Sequence, residues 1–136
     1  MKINKRLLFI LYLLMVTTAS LMPSYDVPKV NVFPNFDKIV HFSMYALFTF
    51  LILWAWPDKF KGKKQILPFL IVLAYGLFME AMQRFTNLGR MFDLRDELAN
   101  CLGFFPGWLF WIWIKDKTNL NSIFLYIPFG KKTVKE

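Results

Sequence analysis

GRMFDLRDELANCLGFFPGW, residues 89–108, is the stretch whose reading decides the fold. Three acids and two arginines fall between Arg90 and Glu97. The chain then runs without a break into an apolar segment rich in aromatic side chains. A soluble helix needs no such join. In a membrane protein it is the point where a charged loop enters the bilayer. Polar groups carried below the headgroups there are costly, and they usually serve a function.

The sequence on either side supports this reading. The chain is 57% hydrophobic, above the roughly 45–50% of soluble domains, and the excess comes in blocks. These are Leu7–Met22, Ile39–Trp56, Ile66–Met82 and Leu98–Ile114. A spanning helix needs about 20 residues and at least about 17. Carrying the third block to Phe85 and starting the fourth at Asp96 gives both that length. The expected fold is therefore all-α: a single membrane domain over residues 1–136, with four transmembrane helices near 7–22, 39–56, 66–85 and 96–114.

The net charge of +8 would suggest nucleic acid in a soluble protein. Here its distribution gives a topology, and no nucleic-acid partner is expected. Lys2, Lys5, Arg6, Lys59, Lys61, Lys63, Lys64, Lys115, Lys117, Lys131, Lys132 and Lys135 fall on one side of the four spans. Lys29, Lys38, Arg84, Arg90 and Arg95 fall on the other. The positive-inside rule then puts both termini in the cytoplasm of a multi-pass cell-membrane protein. Trp54, Trp56, Trp108, Trp111 and Trp113 all lie toward the cytoplasmic ends, as an aromatic belt would. The lysine-rich loop Asp58–Gln65 reads as a topology signal. Residues 1–22 also imitate a cleavable signal peptide. An uncleaved first helix is the preferred reading, because three helices would make a thin bundle with more exposed polar surface. After Ile114 the chain is too short to span again, and an interfacial tail on the inner leaflet is expected.

The single cysteine, Cys101, excludes a disulfide framework and reads as a small residue of a helix interface. Other polar residues form helical stripes. Asp37 and His41 are four apart and share a face that continues inward through Tyr45 and Phe48. Asp37 or Asn35 is placed to cap that helix. Gly76, Glu80, Gln83 and Arg84 form a stripe on the third span, with the glycine open to a neighbouring helix. Glu80 lies inside an apolar run, either within a site or snorkelling to pair with Arg84. Asp93 is a natural N-cap, with Asp96 placed three residues on as in a capping box. Asp96, Asn100, Gly103 and Gly107 share one face, and Gly103-x-x-x-Gly107 is a close-packing motif in spans. Pro106 is a candidate kink.

Antiparallel neighbours bring the start of the second span, the end of the third and the start of the fourth to one depth. Asp37, Lys38, His41, Glu80, Gln83, Arg90, Asp93, Asp96 and Asn100 are expected to meet there, just below the outer headgroups. The inner half carries no matching set, which argues against a transport path. The three fragments Asp37-Lys38-x-x-His41-Phe42-x-x-Tyr45, Glu80-x-x-Gln83 and Arg90-x-x-Asp93-x-x-Asp96-x-x-x-Asn100-x-x-Gly103 resemble the VanZ-like family. The likeness extends from the first apolar segment to about Trp113. That family consists of small polytopic membrane proteins and is named for a protein linked to teicoplanin resistance. The resemblance implies a fold and an envelope location rather than a chemistry.

Two functional readings follow. In the first, the cluster binds or modifies a lipid-linked cell-wall precursor, a lipoglycopeptide or another amphiphile at the outer leaflet, and so alters glycopeptide susceptibility. Arg90 and Arg95 can hold an anionic headgroup bidentately. Glu80, His41 and Asp96 are the candidate catalytic groups, because a buried carboxylate beside an imidazole can exchange a proton. Asp37, Lys38, Gln83, Arg90, Asp93 and Asn100 are the candidate binding groups. No nucleophile stands out, since Ser43 and Cys101 lie too deep or lack a base in register. In the second reading the cluster only fastens the helices of a non-enzymatic membrane protein, each contact being worth about 0.6–2 kcal/mol in lipid. Membrane lipids are the expected surroundings, and no cofactor is expected. His41, Glu80 and Asp96 have the donor types for a divalent ion, but with one histidine in the chain no metal site is expected.

Overall fold

A computed structural model of the chain describes residues 4–22, 34–86 and 93–124. It is all-helical, with no strand among the described residues. Helix α1 covers Lys5–Ser20, α2 covers Phe36–Ala55, α3 covers Leu67–Phe85 and α4 covers Leu94–Phe124, with a 3-10 turn, Gly62–Ile66, leading into α3. Local chemistry explains each start. The Asn4 side chain caps α1 by accepting from the Leu7 N–H at 3.2 Å. Asn35 takes the entry to α2 in a left-handed conformation, φ 63°, which asparagine tolerates better than most residues. Pro68 sits in the first turn of α3, where its missing N–H has no helical partner to lose.

Helix α2 is the centre of the bundle. Tyr45, Phe48, Leu51 and Ile52 are buried along it. Phe48 stacks on Tyr75 of α3 with ring centroids 5.2 Å apart and meets Phe9 of α1 edge-on at 5.4 Å. Hydrogen bonds hold α1 in place. Tyr12 Oη donates to the Met44 carbonyl at 2.7 Å, and Gln83 Nε2 donates to the Ser20 carbonyl at 2.8 Å.

The α2–α4 contact is the closest in the bundle. A Cβ added at Gly103 would overlap the Phe42 carbonyl oxygen, and one at Gly107 would overlap that of Ala46. The Gly-x-x-x-Gly spacing thus lets α4 lie against the α2 backbone. Because Phe42 faces Gly103 and Ala46 faces Gly107, the two helices run parallel. Gly76 of α3 has a different neighbour, since its missing side chain leaves room for the Glu97 carboxylate.

The outward faces are apolar. Leu7, Leu11 and Leu14 on α1, Leu77 and Phe78 on α3, and Leu102, Phe105 and Leu109 on α4 are exposed. A water-soluble protein rarely leaves so continuous an apolar surface uncovered. The segments Phe36–Ala55 and Lys64–Phe85 are long and apolar enough to cross a membrane. At the end of the bundle opposite Asp37 and Asp93, cations lie over indole rings, with Lys5 over Trp54 at 4.9 Å and Lys117 over Trp113 at 3.8 Å.

Helix α4 extends past the end of the expected fourth span near Ile114, running to Phe124 over 31 residues. Residues 115–121 contain neither proline nor glycine to end it. The helix also passes through Pro106 without interruption. The rest of the expected tail, residues 125–136, lies outside the described residues.

Because the atoms opposing Gly103 and Gly107 are backbone, no side chain can move aside to accept a methyl group. Gly103→Ala and Gly107→Ala are each expected to cost about 1–3 kcal/mol, while Leu102→Ala, at an exposed position of the same helix, costs little. Thermal melting of the detergent-purified variants checks this, and an unchanged midpoint for both glycine variants would refute it.

Candidate functional site

The α2–α4 register sets the site. Four residues before Phe42 stands Lys38, and one before it stands His41. Seven residues before Gly103 stands Asp96, and three before it stands Asn100. Parallel packing at the glycines therefore brings Lys38 to Asp96 and His41 to Asn100. Lys38 Nζ donates to Asp96 Oδ1, to Asp93 Oδ2 at 2.7 Å and to Asp37 Oδ2 at 2.9 Å. All three ammonium hydrogens are thereby committed to carboxylates. The Lys38 ammonium also holds the Asp93 carboxyl below the usual carboxylate range. The stability that this link contributes is present above that range and is lost on acidification through the lowered value.

His41 Nδ1 lies 3.0 Å from Asn100 Oδ1. The other end of that amide, Nδ2, donates to Glu97 Oε2 at 3.1 Å. An amide oxygen can only accept, so His41 Nδ1 carries a proton. Its other nitrogen, Nε2, faces Asp96 Oδ2 at 3.9 Å. Glu80, from the end of α3, is 1% exposed, and its Oε2 accepts from the Asp93 N–H at 3.1 Å.

Asp93 caps α4 as its type predicts, its Oδ1 accepting from the Arg95 N–H at 2.8 Å. The capping box is not completed as the sequence suggests. Glu80, from another helix, takes the Asp93 N–H that the Asp96 side chain would take in a box. Asp96 is thereby left to Lys38 and His41. The capping residues and the polar cluster are thus one structure.

The expected site residues do not all gather. Lys38, His41, Glu80, Asp93, Asp96 and Asn100 come together. Asp37 touches the cluster through Lys38 but points outward, its side chain 61% exposed. Gln83 is buried and tied to the Ser20 carbonyl, so it fastens α3 to α1 rather than joining the cluster. Arg90 lies outside the described residues. Arg84 is exposed, and among the described residues Glu80 makes no ion pair with it. Ser43 is on the exposed side of α2, and Cys101 donates weakly to Glu97 Oε1 at 3.6 Å.

Glu97 is the residue that sequence reasoning missed. It is 5% exposed, packs into the space beside Gly76 and holds Asn100. Its signal was its place one turn before Asn100 and Cys101, on the face already marked by Asn100.

Chemically, the cluster has a histidine with a fixed tautomer, a buried carboxylate and a half-buried carboxylate facing one another. It can accept hydrogen bonds from hydroxyl or amine groups and can relay a proton. Among the described residues, no buried side-chain nitrogen or oxygen lacks a hydrogen-bond partner. An apolar groove of about 490 Å³ runs between α2 and α4, lined by Phe42, Ala46, Leu47, Phe50, Pro106 and Phe110 among others.

No curated protein and no solved structure matches the chain. The VanZ/LLP1 family model matches residues 4–115. That match takes in all four helix-forming segments up to Lys115 and every residue of the polar cluster: the chain belongs to the VanZ/LLP1 family.

Proposed function

We propose that this protein crosses the cell membrane four times with both termini in the cytoplasm. We further propose that its polar cluster binds the headgroup of an amphiphilic envelope molecule at the outer leaflet. The observation that carries this reading is that α2 and α4 build both the polar cluster and an apolar groove. A polar cluster and an apolar groove on the same two helices suit a molecule with a headgroup and a tail. The groove can take the tail, while the half-buried His41 and Asp96 meet the headgroup, backed by Glu80 and Asn100. With Lys38 already committed to three carboxylates, the cluster is rich in acceptors. That favours a headgroup bearing hydroxyls or amines, such as a lipid-linked saccharide precursor or a lipoglycopeptide, over a bare phosphate. A change in teicoplanin susceptibility follows from capture of either. If the bound headgroup is also modified, His41 and Glu80 are the pair that would move the proton.

The topology is supported by the apolar outer faces of α1 and α4 and by the cation–indole pairs at one end. Helix α1, at about 1.5 Å per residue, is somewhat shorter than the roughly 30 Å hydrocarbon core, a mismatch that local thinning accommodates.

A second reading rests on the complete pairing of the network: the cluster serves only to hold α2, α3 and α4 together. Stability and function then fall in parallel when it is altered.

Two measurements decide these points. In a Cys101→Ser background, Met22→Cys is expected to react with a membrane-impermeant maleimide in intact cells, and Lys61→Cys only after permeabilisation. The reverse pattern would discard the orientation. Glu80→Gln and His41→Ala are expected to abolish any change in teicoplanin susceptibility conferred by the wild-type protein, with membrane accumulation and melting midpoint unchanged. Full activity in both variants sinks the binding reading, and a parallel loss of stability supports the structural one.

A further inference from the structure

We infer that His41, Glu80 and Asp96 form a binding site for one divalent transition-metal ion of the zinc or manganese class. One ligand atom from each of the three residues lies within 4.8 Å of the other two. Tetrahedral coordination at about 2.1 Å sets neighbouring donors ~3.4 Å apart. Each donor therefore has to move by no more than about an ångström to close on an ion.

Three features make this more than a group of acids. First, Asn100 takes the His41 Nδ1 proton, which in a neutral ring leaves the lone pair on Nε2. That lone pair faces Asp96 Oδ2 at 3.9 Å. Two electron-rich atoms opposed in this way attract a cation between them. Second, the outer contacts resemble those that orient metal ligands, where a ligating histidine gives its other N–H to a fixed acceptor and the ligating carboxylates are held by hydrogen bonds. Here Asn100 is fixed in turn by Glu97, Glu80 is aimed by the Asp93 N–H, and Asp96 offers Oδ2 while Oδ1 is held by Lys38. Third, carboxylates outnumber ammonium groups at this end of the bundle: Asp37, Asp93 and Asp96 share the Lys38 ammonium, and the buried Glu80 and Glu97 have no lysine or arginine ion pair among the described residues. One imidazole with two carboxylates suits zinc or manganese better than magnesium or calcium, which prefer all-oxygen sites. Three protein ligands leave a coordination position open for water or for a headgroup oxygen.

This inference goes beyond the amphiphile reading and is tested without it. Full-length protein purified in detergent, stripped by a chelator and free of added lipid is titrated with Zn²⁺ and with Mn²⁺. One ion per chain is expected, with affinity at least tenfold lower in Glu80→Gln and in Asp96→Asn, and about 10–100-fold lower in Asn100→Ala, which acts through His41. X-ray absorption of the zinc-loaded wild type is expected to show one imidazole in a shell of light atoms. That measurement needs no variant to fold. A zinc shell without imidazole, or wild-type affinity no greater than that of Glu80→Gln, overturns the site. Neither result depends on whether an amphiphile binds.

Discussion

The contact of two glycines with two backbone carbonyls determines how the rest of the molecule is arranged. Where Gly103 meets Phe42 and Gly107 meets Ala46, α4 lies against the α2 backbone with no side chain between them. Such an approach fixes distance and register together. One turn of slip would put Ala99 against the Phe42 carbonyl, or Trp111 against that of Ala46. The same register sets Lys38 beside Asp96 and His41 beside Asn100. The polar cluster is thus the upper end of a packing motif whose lower end is apolar. In lipid, where apolar helices gain little by meeting one another, small residues at the contact and hydrogen bonds across it are the available forces. Here both lie on one line along α4.

Helix α3 enters this arrangement from the opposite direction and contributes one group that α2 and α4 lack. Glu80 is the most buried carboxylate of the cluster and takes the first N–H of the α4 entry. That single contact frees Asp96 from capping. Asp96 can then divide its two oxygens between Lys38 and the imidazole. Local helix-start chemistry and the long-range site are therefore coupled, and a change at Glu80 acts on both. A glutamine there retains an acceptor for the Asp93 N–H but removes the negative charge. This makes it the substitution that separates electrostatics from architecture.

Much of the fold was legible because it depends on periodicities that the sequence displays directly. The apolar blocks marked the helices, and the run of Asp96, Asn100, Gly103 and Gly107 at helical spacing marked the face of α4 that meets α2. The features that spacing does not display depend on which partner a long side chain selects. Gln83 shares a stripe with Glu80, but its amide reaches the Ser20 carbonyl across to α1. Lys38 gives its hydrogens to three carboxylates, a choice that no spacing announces. Glu97 looked like part of a charged helix start and turned out buried, because glycine at position 76 of another helix leaves room for it. Helix α4 runs on to Phe124 past its apolar block because falling hydropathy marks the edge of a bilayer, not the end of a helix.

The remaining question is which force keeps so many carboxylates at the end of an apolar bundle. Removing an ion from water costs several kcal/mol even after relaxation, and a good partner offsets this only when the remaining hydrogen bonds are also made. Lys38 meets that condition for Asp93 and Asp96, and both acids keep some access to solvent. Glu80 and Glu97 differ. They are almost fully covered, and their contacts are with neutral donors: the Asp93 N–H for Glu80, and Asn100 and Cys101 for Glu97. Hydrogen bonds to a charged group contribute about 1.5–3 kcal/mol each, set against a desolvation cost of several kcal/mol for each buried ion. Helices that only needed fastening could do so more cheaply with an asparagine, which carries no charge to desolvate. Carboxylates at these two positions therefore carry a desolvation cost that a nearby positive charge or a bound proton would offset.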